Sequence, residues 1–269
     1  MAKPHKRKRW RVDPRGRAVL LTGASAGIGA ATARALAAAG ARLTLAGRDA
    51  TRLAALAAEL PGVRTDVADL ADAAACAALV ARSAAALGGL DLLVCNAGVG
   101  LAAPVDRLTP DDLRAALDVN LFGPLALVQA ALPHMRRAGA GQIILVSSTV
   151  GLRALPYLGG YAASKAALDR LSESLRVELR GTGVAVTLIR PGTTDTGFSS
   201  HRLGRGRELR RARRRGVPPE RVAEAIVRAA RREPRVQYVR AADRLLVWFG
   251  LLAPRLTDKI LGDSFGWEE

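Results

Sequence analysis

The chain has 269 residues, of which 49% are hydrophobic and 24% are charged, fractions that are typical of a folded protein and exclude a largely disordered one. Its two cysteines cannot build a disulfide framework or a cysteine-rich zinc site, and its three histidines are too far apart to suggest a metal centre. Sparse cysteine favours a reducing compartment, so we expect the protein in the cytoplasm. No nearly apolar run reaches the roughly 18 residues that a spanning helix needs, so we expect neither a transmembrane segment nor a signal peptide.

The net charge of +17 is concentrated in two segments. Residues 1–17 and residues 202–215 each contain eight lysines or arginines and one acid, so together they carry 14 of the 17 charges. The rest of the chain is close to neutral. This distribution favours solvated segments, or contact with anionic surfaces, over a folded basic face, so we do not expect nucleic acid as a partner.

From residue 17 onward, short apolar runs alternate with helical stretches that are rich in alanine and leucine. Strands are predicted at 18–21, 42–46, 63–64, 92–94, 142–146, 184–189 and 236–239, and helices at 28–39, 50–60, 69–87, 111–137, 158–180 and 219–232. This alternation predicts an α/β fold in three layers, a doubly wound parallel sheet of about seven strands in a single domain. We expect a disordered basic tail at 1–16, the domain at 17–240 with a mobile insertion at 197–218, and an extension at 241–269.

The first strand-to-helix turn is rich in glycine. Gly23 permits a sharp turn off the strand, and Gly27 and Gly29 remove side chains where backbone amides would approach a pyrophosphate. Ser25 lies between Gly23 and Gly27. The helix that starts near Ile28 offers free N–H groups and the positive end of its dipole to a bound anion. This context predicts a dinucleotide site of the Rossmann type. The alternative is that these glycines simply end a strand.

Tyr161 and Lys165 lie four residues apart on a predicted helix and therefore share one face. A tyrosine with a pKa of about 10 is a poor acid at neutral pH, and a neighbouring ammonium group lowers that pKa. Ser148 ends a predicted strand, where its hydroxyl could hold a reacting oxygen. These three residues are therefore candidate catalytic groups. Alternatively, the tyrosine and lysine are a surface pair on an amphipathic helix.

The order and spacing of these motifs closely resemble the short-chain dehydrogenases/reductases over roughly residues 17–240. The resemblance implies hydride transfer between a nicotinamide cofactor and a carbonyl or alcohol substrate, with Tyr161 moving the proton. It implies that Lys165 also bonds the nicotinamide ribose and that Asn120 helps to hold a water in a proton relay, although Asn120 could instead be a structural amide. Further cofactor contacts implied in this way, besides Tyr161 itself, are Asp66, Val67, Asn96, Ala97, Gly98, Pro191, Gly192, Thr194 and Thr196. For Asp66 the alternative is an aspartate that begins a helix.

The end of the second strand bears on which nicotinamide is used. An NAD site would place a carboxylate there to accept from the ribose 2′-OH, but position 47 is glycine. Arg48 follows, and its guanidinium suits a 2′-phosphate, whereas Asp49 is expected to cap the next helix. NADP(H) is therefore the favoured cofactor. NAD(H) is the alternative, because the glycine turn has Ala26 where many NADP-binding members of the family have a second basic residue.

Apolar side chains dominate the expected substrate wall, which comprises Leu152, Leu155, Tyr157, Leu158 and Phe198. They favour an uncharged, hydrophobic small-molecule carbonyl or alcohol. The arginine-rich insertion lies where family members carry a substrate lid. We interpret it as a solvated loop, with attraction of an anionic substrate such as an acyl-carrier conjugate as the alternative.

Residues 244–261 are apolar with interspersed basic residues, and Pro254 is expected to interrupt any single helix. This segment could lie in a membrane interface as a peripheral contact, or pack over the core or against another subunit, which is the preferred interpretation. The resemblance implies a homodimer or homotetramer. A catalytically silent dinucleotide-binding regulator and a weak nucleic-acid binder are the competing functions, and the presence of both Tyr161 and Lys165 favours the enzyme.

Overall fold

The computed structural model describes residues 13–198, 202–204, 209–211 and 216–267. In chain order the strands are β1 (Ala18–Thr22), β2 (Arg42–Gly47), β3 (Arg64–Val67), β4 (Leu92–Cys95), β5 (Leu101–Ala102), β6 (Gly141–Val146), β7 (Val184–Arg190), β8 (Leu203–Gly204), β9 (Leu209–Arg211), β10 (Val236–Tyr238) and β11 (Phe265–Trp267). The helices are α1 (Gly27–Ala38), α2 (Ala50–Glu59), α3 (Ala73–Leu87), α4 (Pro110–Leu117), α5 (Gly123–Ala138), α6 (Gly159–Glu178), α7 (Pro219–Arg232), α8 (Ala241–Leu252) and α9 (Pro254–Ser264).

Seven parallel strands form the central sheet in the order β3-β2-β1-β4-β6-β7-β10. The chain moves outward in one direction from β1 to β3 and in the other from β4 to β10, so the direction of winding reverses between β1 and β4. In doubly wound folds this reversal opens a crevice at the carboxyl ends of the strands, where ligands bind. The predicted fold class and strand number are confirmed.

The strands are apolar throughout because helices cover both faces of the sheet. Alternate residues of one strand enter two separate cores, since side chains of a strand point to opposite faces. Leu20 and Leu93 belong to one core, whereas Leu21 and Val94 belong to the other. Both cysteines, Cys76 and Cys95, lie in the first core as free, buried thiols. The buried sheet therefore provides the rigid platform from which the loops at its carboxyl edge project.

Several element boundaries differ from the sequence prediction. The helix expected at 69–87 begins only at Ala73, because the Asp72 carboxylate accepts from the backbone amides of Ala74 and Ala75 and caps it there. The helix expected at 111–137 is divided by a π-helical turn at Asp118–Phe122. Two small sheets were not predicted: β5 pairs with β8, and β9 pairs with β11.

Parts of three predicted segments fall outside the described residues. These are residues 1–12 of the tail, residues 199–201, 205–208 and 212–215 of the insertion at 197–218, and residues 268–269 of the extension. The described parts of that insertion form β8 and β9 and pair with other elements.

The C-terminal extension forms α8 and α9, which meet at Ala253 and Pro254 as the proline predicts. The preferred interpretation is that this extension packs over the core or against another subunit. Packing against the rest of the chain is seen only for the inner side of α8. Its outer side and most of α9 are exposed.

Within the described residues, one helical stretch, Pro110–Ala138, is long and apolar enough to cross a membrane by length and composition alone. In this fold, the side chains of Leu127, Ala131 and Met135 from this stretch are buried in the core beside the sheet. The same stretch carries Asn120 in its π-helical turn.

Candidate active site

The candidate residues converge on the carboxyl edge of the central sheet. The glycine turn follows β1, Asn96 follows β4, Ser148 follows β6 and Pro191 follows β7. Because parallel strands all end at this edge, residues that are distant in sequence become neighbours there.

The glycine turn is held tightly against the end of β4. The side-chain amide of Asn96 donates to the carbonyl oxygens of Thr22 and Gly23, each at 3.1 Å. A Cβ on Gly29 would overlap the carbonyl oxygen of Gly23, and a Cβ on Gly23 would come within 2.7 Å of the Ala97 Cα. Asn96 and Ala97 therefore fix the shape of the turn, a structural contribution that the sequence analysis did not anticipate.

The start of α1 fits the pyrophosphate of a dinucleotide. Ala26, the N-cap residue, supplies no capping side chain, and the first turn of the helix contains no acid. The amides and the positive dipole end are therefore left to an anion. Gly27 has φ +50°, and a Cβ there would come within 3.1 Å of the Thr196 Cγ2. Thr196 thus lies directly across the turn. A side chain at position 27 would contact Thr196, so glycine there keeps the space between them open for a ligand.

Arg48, an exposed arginine, directly follows the end of β2. Arg48 is exposed and forms no hydrogen bond or ion pair with any residue that the structure describes. Gly47 is buried, and a Cβ on it would come within 3.4 Å of the Ser25 Oγ. Asp49 caps α2 by accepting from the Arg52 amide at 2.9 Å, as the sequence predicts. Ser25, Gly47 and Arg48 therefore border one small region beside the glycine turn.

Asp66 belongs to β3 and does not begin a helix, so that alternative is wrong. Arg82 of α3 donates from Nε and Nη2 to the two carboxylate oxygens, both at 2.8 Å. This fork holds the carboxylate in place beside the crevice and raises the pKa of Arg82, chiefly through that hydrogen bond. Val67, the next residue, is exposed.

Ser148 and Tyr161 are brought together as candidate catalytic groups. Ser148 lies close enough to the Tyr161 phenol for its side chain to lower the pKa of that phenol. The Ser148 Oγ accepts from the Val150 amide at 3.3 Å and lies 3.5 Å from the Pro191 carbonyl oxygen, to which it can donate. The serine is therefore positioned by the main chain on both sides, beside the phenol.

Lys165 lies one helical turn from Tyr161, with its Nζ 5.9 Å from the centre of the tyrosine ring. The side chain is buried, and Nζ donates to the carbonyl oxygen of Val146 at 3.1 Å. Burial lowers the pKa of Lys165 to about 8, whereas the charge of Asp169 and the nearby Cys95 act in the opposite direction. The predicted shared helix face is therefore present, and it is turned inward toward the sheet.

Burial raises the pKa of the Tyr161 phenol to about 12, while the side chain of Ser148 and the charge of Arg202 lower it in part. Loss of hydration therefore outweighs these two effects, and the lowering of this pKa by Lys165 stays a prediction. Arg202 was not singled out among the insertion arginines, since its position over the site depends on the pairing of β8 with β5.

Asn120 is fully buried in the π-helical turn, and its side chain is engaged by protein groups. Its Oδ1 accepts from the Val99 amide at 2.9 Å, and its Nδ2 donates to the Val99 carbonyl at 2.9 Å and to the Ser164 Oγ at 3.0 Å. A Cβ on Gly98 would come within 2.9 Å of Oδ1 and within 3.4 Å of the Lys165 Nζ. These hydrogen bonds are those that a structural amide would make, and Gly98 lies against both the Asn120 side chain and the Lys165 Nζ.

The segment after β7 borders both the turn and the serine. The Thr194 hydroxyl donates to the Gly192 carbonyl at 3.2 Å, and Thr194 bridges to Val217. A Cβ on Gly192 would come within 2.7 Å of the Asp243 Oδ1. Asp243 is therefore packed against this segment, a contact from the C-terminal extension that had no signal in the sequence.

Phe198 covers the phenol, with ring centres 5.8 Å apart and planes tilted by 56°. Leu155 and Tyr157 are half-buried along the segment that leads into α6, and Leu152 lies beside them, whereas Leu158 is buried. Tyr157 has φ +63°, a left-handed conformation that is rare for a bulky residue. Its carbonyl accepts from the Ala103 amide at 2.9 Å, which helps to hold that conformation. Of the predicted apolar wall, Phe198 contacts the Tyr161 ring, and the other members stay a prediction.

Asp169 and Arg190 form a buried ion pair next to Lys165. Asp169, one turn further along α6, accepts through Oδ2 from Nη2 and Nε of Arg190 at 2.8 and 3.2 Å. Both residues are buried, and the Arg190 guanidinium also lies 5.9 Å from the ring centre of Tyr238. This pair was not predicted from the sequence, although Asp169, a charged residue four positions after Lys165, indicated a charge on the same helix face.

Comparison with known proteins bears on the family and on the fold. A sequence profile described as short chain dehydrogenase matches residues 17–204. A bovine protein named dehydrogenase/reductase SDR family member 7B is 38% identical over 201 residues, which cover 71% of this chain and 62% of that protein. The chain therefore matches less than two thirds of the length of this relative.

Two solved structures are similar to this one. A short-chain dehydrogenase/reductase from Burkholderia phymatum, in complex with NAD, has a TM-score of 0.81 and 27% identity, and the match covers 91% of this chain and 96% of that one. A metagenomic short-chain oxidoreductase in complex with NADP has a TM-score of 0.68 and 34% identity over 81% of this chain and 91% of that one. Proteins similar to this chain thus bind either nicotinamide dinucleotide.

Proposed function

We propose that this chain, which belongs to the short-chain dehydrogenase/reductase family, is an NADP(H)-dependent oxidoreductase that interconverts a carbonyl group and a secondary alcohol. The observation that carries the proposal is the placement of the buried Lys165 Nζ 5.9 Å from the Tyr161 ring, one helical turn away, at the sheet edge where Ser148 follows β6. A silent dinucleotide-binding protein of this fold would have no use for a tyrosine so placed.

Tyr161 is proposed as the general acid and base. Its raised pKa keeps the phenol protonated at neutral pH, so the side chain can donate to a carbonyl oxygen while that oxygen gains negative charge. The Ser148 hydroxyl would hold the same oxygen by a second hydrogen bond. In the opposite direction, the phenol oxygen would have to accept a proton from the alcohol, which a lower pKa would favour.

The bound nicotinamide would supply or accept the hydride. We propose that the amides at the start of α1 hold its pyrophosphate and that Thr194 and Thr196 meet the nicotinamide end, with Pro191 and Gly192 shaping the path. Lys165, which lies against Gly98, would bond the nicotinamide ribose.

Asp66 and Val67 would flank the adenine, and the π-helical turn at Asn120 would border a relay water beside Lys165. These contacts are proposed from the placement of the residues around the crevice.

The preference for NADP(H) is supported by Arg48. Its guanidinium has no counter-ion among the described residues and stands next to Gly47, where a carboxylate would be expected in an NAD site. A 2′-phosphate placed between Ser25 and Arg48 would gain a charge-assisted hydrogen bond.

A hydrophobic substrate is supported by Phe198, which packs against the Tyr161 ring, and by the partly buried Leu155 and Tyr157 on the segment that leads into α6. Arg202 contributes a positive charge near Tyr161, so an electron-rich oxygen on the substrate would be tolerated there. We further propose a cytoplasmic location, which two free buried thiols suit, and a homo-oligomer, which a light-scattering mass measurement would test.

The test is a panel of ketones, aldehydes and secondary alcohols assayed with NADPH, NADP⁺, NADH and NAD⁺ by the absorbance of the reduced nicotinamide. We expect turnover of apolar carbonyls with NADPH, and a loss of at least about a hundredfold in kcat for Tyr161→Phe, because general acid–base catalysis contributes that much or more. Tyr238→Phe, which alters a tyrosine outside the crevice, is the control. Equal activity of wild type and Tyr161→Phe would refute the assigned role.

A further inference from the structure

The outward side of α8 is apolar. Asp243, Val247 and Gly250 form its buried side, and the opposite side carries exposed residues at the i, i+3, i+4 and i+7 positions: Leu245, Trp248, Phe249 and Leu252. The exposed fraction reaches 69% at Leu245 and 79% at Leu252. A stripe with this spacing normally faces a core, and here it faces away from the protein.

Helix α9 extends the same surface. None of its residues is buried, and Leu256 and Ile260, one turn apart, are about half exposed. We call the exposed apolar side chains between residues 245 and 260 the C-terminal apolar face. A contiguous exposed surface of this kind marks a site of interaction with another molecule.

Polar contacts to the body of the protein fix the orientation of this face. Asp243 is buried against Gly192 and pairs with Arg240 at 2.6 Å. Arg153 pairs with Asp258 of α9 and packs against Gly250 of α8. The apolar side chains are therefore exposed because the helices are anchored through their other side.

The unpaired charges of α8 and α9 are mainly positive. The two acids that pair with Arg240 and Arg153 are neutralised by those contacts. Arg244, Arg255 and Lys259 are exposed and form no ion pair with any residue in the described ranges, and Asp263 is the remaining exposed acid of these two helices. Basic side chains next to exposed leucine and tryptophan are the composition of helices that lie in an anionic membrane interface.

The arginine-rich segment is joined to the same end of the molecule. β11 follows α9 directly and pairs with β9, with Phe265 opposite Arg211 and Trp267 opposite Leu209. β9 contains Arg210 and Arg211. Two further positive residues therefore belong to the strand that pairs with the end of the C-terminal extension.

We propose that the C-terminal apolar face docks on an anionic lipid bilayer, with α8 and α9 lying in the plane of the interface. The helices are 12 and 11 residues long, too short to span a bilayer. A second copy of this chain is the less favourable occupant, because a two-fold contact through this face would bring the unpaired positive residues of α8 and α9 from both copies to one interface. Anionic headgroups, in contrast, complement these positive residues and those of β9. This proposal does not depend on the enzymatic function.

The test is flotation of the full chain with vesicles of phosphatidylcholine, with and without phosphatidylglycerol. The variant Leu245→Glu/Leu252→Glu changes two side chains that are mostly exposed, so the fold is preserved. Val105→Glu/Val177→Glu is the matched control, since these valines are 75% and 62% exposed elsewhere on the surface. We expect wild type and control to bind the anionic vesicles at least about tenfold more tightly than the glutamate variant, and added salt to weaken their binding.

A second readout locates the contact. With Trp10 and Trp267 replaced by Phe, Trp248 is the remaining tryptophan, and its fluorescence should shift to shorter wavelength and be quenched by brominated lipid. Negligible binding by wild type, equal binding by wild type and the glutamate variant, or an unquenched Trp248 would each overturn the proposal. A mass by light scattering that is larger for wild type than for the variant would assign the face to a second copy instead.

Discussion

Replacing Lys165 by methionine tests the cost of holding an ammonium group inside this fold. The pKa of Lys165 is lowered from 10.5 to about 8, chiefly by burial. At one unit per 1.36 kcal/mol, the buried charge costs about 3 kcal/mol of stability at pH 7 and less than about 1 kcal/mol at pH 10. Because the unfolded chain binds more protons than the folded protein in this window, the stability of the wild type rises with pH.

Lys165→Met removes the titrating group, so its stability lacks this rise. The variant also leaves the Val146 carbonyl without its hydrogen bond, a loss of about 1–3 kcal/mol that does not depend on pH. The informative quantity is therefore the change with pH in the difference between the two proteins. We expect wild type to gain about 2 kcal/mol relative to the variant between about pH 7 and pH 10.

Urea unfolding of both proteins without cofactor, followed by circular dichroism at several pH values, measures this change. Tyr161 and the thiols also titrate at high pH, but they are present in both proteins and cancel in the comparison. Two stability curves that run parallel from pH 7 to pH 10 would refute the reasoning, and would mean that the ammonium group is hydrated in solution. The same variant should have lost activity, so a gain in stability at pH 7 would come at the expense of the chemistry.

Three further variants test separate contacts. Arg48→Ala should raise the KM for NADPH by about 10- to 100-fold and leave that for NADH unchanged, since only NADPH carries the 2′-phosphate; equal effects in steady-state kinetics with both cofactors would contradict this. Gly29→Ala should abolish the thermal shift that NADP⁺ produces, because its Cβ overlaps a backbone carbonyl, whereas Gly262→Ala, which meets nothing within 4 Å, should keep the shift. Asp169→Asn should cost about 3–5 kcal/mol in urea unfolding by leaving Arg190 unpaired in the core, and Asp169→Leu/Arg190→Met should recover most of it; equal losses in the two proteins would argue against a charge effect.

The central sheet could be predicted because strands that are covered on both faces are continuously apolar. β1, β2 and β7 lie within one residue of the predicted bounds. The strand at 63–64 was the least well predicted, since β3 is at the sheet edge and consists of Arg64, Thr65, Asp66 and Val67, most of them exposed. At an edge, exposure removes the apolar signal on which the prediction depends.

The two small sheets could not be predicted from the sequence. β5 and β8 are two residues each and about a hundred positions apart, and β9 and β11 are three residues each. Segments this short have no periodicity, and their partners are chosen by the packing of the completed fold. Arg202 reaches Tyr161 through one of these pairings, which is why a residue assigned to a solvated loop lies over the candidate site.

Within the site, spacing predicted which side chains would meet but not the balance of their electrostatics. The i, i+4 relation places Tyr161 and Lys165 on one helical face. Whether the phenol becomes more or less acidic depends on how much water burial removes, a property of the assembled loops and of Phe198. The hydrogen bonds of Asn120 to Val99 likewise depend on a π-helical turn that no spacing indicates.

The two buried cysteines can be used to detect transient opening of the first core. Burial raises the pKa of Cys76 to about 11 and also raises that of Cys95, so the nucleophilic thiolate is scarce and inaccessible in the native state. A maleimide reagent should therefore modify the chain only during excursions that expose the first core. Mass spectrometry of timed labelling would then count those excursions, and a bound dinucleotide that closes the crevice should slow the labelling of Cys95 more than that of Cys76.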